Sequence, residues 1–140
     1  YSIFSAIWRP PMNNPLSDHF DLIYSYTRKQ AIEDGVLVDV SSTAKEAGIN
    51  FPVALTSTVW DIYVVPSEKL EGHGQSISGR LWDLLWMFRL RALKTNTSLM
   101  YFSCMMLNEK ETLEEVKFKA LCGPGDNGEP VITIMLPMED

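Results

Sequence analysis

Gly79-Arg-Leu-Trp-Asp-Leu-Leu-Trp-Met-Phe-Arg-Leu-Arg-Ala-Leu-Lys94 carries the clearest periodicity in the chain. Its apolar residues recur at helical spacing, with Trp82, Trp86, Arg89 and Leu93 along one side. Leu81, Leu84, Leu85 and Phe88 widen the apolar surface to most of the circumference. Such a helix is expected to be covered on nearly all sides and to form the centre of the core. It carries Arg80, Asp83, Met87 and Arg91 as a stripe at spacings of three and four. A helix this apolar cannot leave Arg80, Asp83, Arg89 and Arg91 all freely solvated. If their polar heads meet in a satisfied network, the helix is scaffold. An arginine aimed unpaired into a cleft would mark the helix as functional.

The remaining chain supplies the elements that cover this helix. Thr27-Arg-Lys-Gln30 fits a capping box for a helix from Arg28 to Asp34, stopped at Gly35. Val36–Val40 alternates as a strand, and Ser41 to Thr43 offer N-caps for a one-turn helix, Ala44 to Ala47. Phe51–Leu55 reads as extended. Thr56 or Thr58 can cap a third helix that Pro66 ends, yet the β-branched Val59, Ile62, Val64 and Val65 suit a strand equally well. The polar, glycine-containing stretch 67–78 reads as a mobile loop.

Three strands follow, Leu99–Leu107, Glu115–Cys122 and Val131–Leu136, joined by short turn-rich connections that imply an antiparallel meander. The expected class is α+β: a buried central helix on a C-terminal three-stranded antiparallel meander, with a smaller N-terminal helix–strand–helix unit. Tyr1 to Asp21 holds Arg9-Pro-Pro-Met-Asn-Asn-Pro15 and reads as an irregular arm, leaving 22–140 as one domain that starts with a short strand at Leu22–Tyr26. Met12 is the expected natural start, with Tyr1–Pro11 an extension.

Composition excludes several classes. The 140 residues carry 46% hydrophobic and 21% charged side chains, enough for one domain with a core. The formal net charge is −6 and no Lys/Arg-rich run occurs, so the chain lacks the footprint of a general nucleic-acid binder. No apolar run reaches the roughly 20 residues that span a bilayer, and the N-terminus lacks a signal-peptide pattern. A cytoplasmic location is the default expectation. The hairpin register expected for Cys104 pairs it with residue 117 or 118, which leaves Cys122 roughly 13 Å away. Two free, buried thiols follow.

Few residues point to chemistry. His19 and His73 have no metal-type spacing, so neither a metal site nor a cofactor is expected. Gly123–Gly128 lies between strands and lacks a phosphate-loop Lys, so it reads as a hairpin turn. Two polar constellations remain: Arg80, Asp83 and Arg91 on the core helix, and Asp34 and Asp39 flanking Gly35. Each has a plain structural explanation, as a helix salt bridge and as surface carboxylates. Together they are the candidate site for the alternative reading, a small hydrolase or nuclease-like enzyme. Trp60, Tyr63 and Trp82 are the candidate partner surface, because aromatics left exposed serve as binding hot spots.

Four segments carry a resemblance: Tyr24–Val40, Phe51–Thr56, Gly79–Met87 and Lys119–Pro137. Together they resemble a family of small uncharacterised bacterial proteins found in plasmid, phage and other mobile-element genomes. The resemblance implies an accessory product acting in the bacterial cytoplasm and carries no catalytic residue. The first expectation is thus a non-enzymatic protein-binding module of a mobile element. Its partner would be a host or defence protein, and its acidic surface an imitation of nucleic acid. No membrane partner is expected, and a homo-oligomer is the third reading.

Overall fold

The computed structural model describes residues 26–139. The expected strand at Leu22–Tyr26 and the N-terminal arm, with His19, lie essentially outside that range. Helix α1, Arg28–Glu33, opens on the capping box: the Thr27 hydroxyl accepts from the Gln30 N–H, and the Gln30 side chain accepts from the Thr27 N–H. After α1 come strand β1, Leu37–Asp39, helix α2, Ser41–Glu46, and strand β2, Val53–Thr56. The Thr56 hydroxyl caps helix α3, Ser57–Val59, which widens into a π-helical turn over Trp60–Val64. This stretch is therefore helical despite its β-branched residues, held between a good N-cap and Pro66.

The stretch read as a mobile loop is also largely helical. Ser67 caps helix α4, Glu68–Gly72, and Ser76 accepts from the Gly79 N–H at 3.0 Å to start helix α5, Ile77–Ala92. Both hydroxyls stand where N-cap chemistry places them, so the signal was present within a segment that looked polar throughout. Strands β3, Leu99–Leu107, β4, Leu113–Pro124, and β5, Pro130–Met135, complete the chain.

The expected three-stranded meander with a separate N-terminal unit is overturned. The five strands among the described residues form one mixed sheet in the order β1-β2-β5-β4-β3. β2 runs parallel to β5, pairing Val53 with Ile132 and Leu55 with Ile134, while every other pair is antiparallel. Local turn chemistry specifies the β3–β4 and β4–β5 hairpins. The β2–β5 pairing closes over a long crossover, and no local pattern encodes it.

The core lies between one sheet face and the helices α2 and α5. Met100, Phe102, Cys104 and Met106 of β3 face it, with Val116, Phe118, Ala120 and Cys122 of β4 and Ile132 and Ile134 of β5. Phe102 stacks on Phe118 at 5.5 Å and meets Phe88 of α5 edge-on at 5.7 Å. Cys104 pairs with Val116, not with residue 117 or 118 as expected. Both cysteines are free and buried.

The expectation that α5 is covered nearly all round also fails. Leu81, Leu84, Leu85, Phe88 and Ala92 are buried as one stripe, together with Arg80. On the outer side, Trp82, Trp86, Met87, Leu90 and Leu93 each keep 38–42% of their surface in solvent. Spacing alone says which residues share a face. It does not say whether another element covers that face.

Candidate functional site

Arg80 lies at the N-terminal end of α5 and is 6% exposed. Its Nε donates to the Tyr63 carbonyl at 2.7 Å, and Nη1 donates to the Leu107 carbonyl at 3.1 Å and the Gln75 side-chain oxygen at 3.0 Å. The guanidinium thus ties the π-helical turn, the α4–α5 connection and the end of β3 together. Burial lowers its pKa, against the opposing influence of Cys104, Glu109 and Asp83. Asp83 is exposed and forms no ion pair with Arg80; among the described residues the ion pair present is His73–Glu111.

The other polar candidates stand apart. Asp34, the C-cap of α1, accepts a short hydrogen bond from the Tyr26 hydroxyl, which raises the phenol pKa. Asp39 accepts from the Ser41 N–H at 3.0 Å and its hydroxyl at 2.5 Å, at the start of α2. Asp39 also faces the cleft that holds Arg28, whose pKa burial lowers while Asp39, Asp126 and Glu129 oppose the shift. Arg28 donates to the Thr133 hydroxyl and the Ile132 carbonyl, both at 2.7 Å, and Asp126 accepts from the Arg28 and Lys29 N–H groups. Among the described residues no group of three His, Cys, Asp or Glu side chains is placed to hold a metal ion.

Of the three candidate partner-surface aromatics, one is exposed. Trp60 is half-buried against the core, and Tyr63 is half-buried with its ring edge-on to Phe118 at 5.6 Å. Trp82 stacks on Trp86 at 6.2 Å with 11° between the rings, and the Arg89 guanidinium lies 5.3 Å from the Trp86 centroid. The outer face of α5 therefore begins as a rigid aromatic pair held by a cation.

That face continues into a cleft of about 520 Å³ between α5 and the free edge of the sheet. Met87, Leu90, Arg91 and Lys94 line one side, and Tyr101, Phe102, Ser103 and Lys117 the other. Of the four polar residues singled out on α5 in the sequence, Arg91 is the one that faces this cleft. Arg80 lines a different, smaller cleft beside Leu107. Lys94, Lys117 and the β3 edge carry no sequence motif; chain reversal between α5 and β3 brings them together.

No helix among the described residues is long and apolar enough to cross a membrane. No curated protein and no solved structure matches the chain. The model of one family of unknown function, DUF6573, matches residues 12–140, and the chain belongs to that family.

Proposed function

We propose that this chain is a non-enzymatic protein-binding module whose docking face is the outer side of α5. The observation that carries this reading is the continuous apolar run Trp82, Trp86, Met87, Leu90 and Leu93 on a helix whose opposite side is fully packed. Aromatic and Met side chains at such a surface supply hot-spot contact area at low entropic cost. Asp34, Asp39 and Arg80 are already engaged in structural hydrogen bonds, which also favours binding over catalysis. The resemblance to mobile-element proteins adds the context: an accessory factor acting on a host or defence protein in the bacterial cytoplasm.

The test is affinity capture at physiological salt with two baits, the wild-type protein and a Trp82→Ser/Trp86→Ser variant whose melting curve remains cooperative. The proposal expects a defined partner retained by the first and lost by the second. Equal retention by both baits, or none by either, would sink it. Light scattering on the free protein decides the competing occupant: a stable dimer dissociated by the same variant would assign the face to self-association.

A further inference from the structure

The phase of the β3–β4 ladder determines what the sheet offers at its outer edge. The Cys122 N–H donates to the Ser98 carbonyl at 2.7 Å, and the Asn108 N–H to the Thr112 carbonyl at 2.9 Å. In an antiparallel pair, hydrogen-bonded residues alternate. Between those two anchors, the backbone groups of Met100, Phe102, Cys104 and Met106 therefore point to β4. Those of Leu99, Tyr101, Ser103, Met105 and Leu107 point away from β4, to the side where no further strand lies among the described residues. At both ends of that row the carbonyl is engaged: that of Leu99 accepts from the Thr97 hydroxyl, and that of Leu107 from Arg80. In the middle, the N–H and C=O groups of Tyr101 and Ser103 have no partner among the described residues.

Those open groups border the cleft beside α5, and the cleft is cationic within an acidic chain. Arg91 and Lys94 reach it from α5 and Lys117 from β4. None of the three side chains has a carboxylate partner among the described residues, where His73–Glu111 is the ion pair formed. The nearest acid on β4, Glu115, accepts from the Ser103 hydroxyl at 3.2 Å. Asp83 lies two turns before Arg91, about 12 Å along the helix. Basic residues in a last helical turn also complement the helix dipole. Here, however, a third cation borders the same cleft, Lys117 on the sheet face away from α5, and Met87 and Leu90 make its α5 side apolar.

We infer that this cleft takes an extended acidic segment of the partner protein, which adds to β3 as a sixth strand. This rests on the protein-binding reading above and names the partner's chemistry. Tyr101 and Ser103 supply four main-chain hydrogen bonds, two donated and two accepted. Side chains of one parity then lie on the α5 side of the sheet, where carboxylates meet Arg91 and Lys94, and those of the other parity lie on the side of Tyr101 and Lys117, where apolar groups pack on Tyr101. An edge strand left open is otherwise an aggregation liability, and cations flanking it select against partners of the same sign.

The experiment titrates full-length protein with a peptide of about six residues, alternating Asp or Glu with Val or Ile and blocked at both ends. Binding is followed by calorimetry and by backbone amide NMR. The inference expects saturable binding that weakens with added salt and falls about tenfold in an Arg91→Glu/Lys94→Glu variant. It expects N-methylation of the peptide at alternate positions to abolish binding in one parity and spare it in the other. Equal binding of a peptide with Lys replacing each acid would overturn it. So would indifference to N-methylation, or tighter binding of a thymidine oligonucleotide through the same two cations. Trp82→Ser/Trp86→Ser keeps the cleft and serves as the control. If partner capture depends on that pair while no acidic peptide binds, the docking face stands and the strand-addition inference falls.

Discussion

Arg80 is the residue on which the most separated pieces of chain converge. It satisfies two backbone carbonyls that have no other described donor, Tyr63 in the π-helical turn and Leu107 at the end of β3. Replacing it by Met leaves both half-buried carbonyls without that donor, beside an apolar side chain. The expected cost is roughly 2–4 kcal/mol, read as a melting temperature lower by about 10 °C. Arg80→Lys should recover only part of this, because an ammonium cannot reproduce the fork that spans Tyr63 and Leu107. The two thiols give a pH prediction. Burial pushes Cys104 and Cys122 from 9.0 up to about 11. A pKa raised on folding means the unfolded chain releases its proton first, so the stabilisation is complete below pH 9. It is lost as pH rises toward 11. Urea midpoints should therefore fall across that window in the wild type and fall less in a Cys104→Ala/Cys122→Ala variant. Sequence showed that Arg80 needed partners, and its neighbour Asp83 looked like the nearest. The partners it found are carbonyls 17 and 27 residues away, which helical spacing cannot reveal.

At the scale of elements, α5 has two unequal faces. Leu84 is fully buried, so Leu84→Ala should cost about 3 kcal/mol. Trp82→Ser/Trp86→Ser should cost clearly less and leave the unfolding transition cooperative, since both rings stay 39–40% exposed. Comparison of the three denaturation curves checks the asymmetry. The junction between α2 and β2 is equally constrained. Gly48 has φ +91°, and a Cβ there would lie 2.8 Å from Arg89 Nε. Gly48→Ala should destabilise by about 1–2 kcal/mol from backbone strain alone. Elements with local signals were legible: the Thr27–Gln30 box, the alternating Glu115–Ala120 and the glycine-rich β4–β5 turn. The caps at Ser67 and Ser76 were legible in principle, but the polar residues around them masked two helix starts. The exposure of Trp82 and Trp86 was not legible, because apolar spacing is the same whether a neighbour covers the face or solvent does.

For the whole molecule, the sheet order leaves two edges of different character. β1 is three residues long and ends where Ser41 starts α2, so it offers little to a partner strand. β3 is nine residues long and open at its centre. The N-terminal half of the chain joins the sheet through β2 and β5, an arrangement that hairpin lengths could not have shown. That parallel pair puts β5 between two strands and leaves β3 outermost among the described residues. The same topology thus places the cationic end of α5 beside the free edge. No local sequence pattern contains this juxtaposition, and it is the basis for reading the cleft as a docking site.

Amide hydrogen exchange along β3, measured residue by residue with and without the acidic peptide, tests that reading most directly. Strand addition predicts alternation in the free protein, with Phe102 and Cys104 slow and Tyr101 and Ser103 fast. It further predicts that the peptide slows Tyr101 and Ser103 to rates near those of their neighbours. Uniform protection along β3 in the free protein, or no slowing at Tyr101 and Ser103 in the saturated complex, would contradict it.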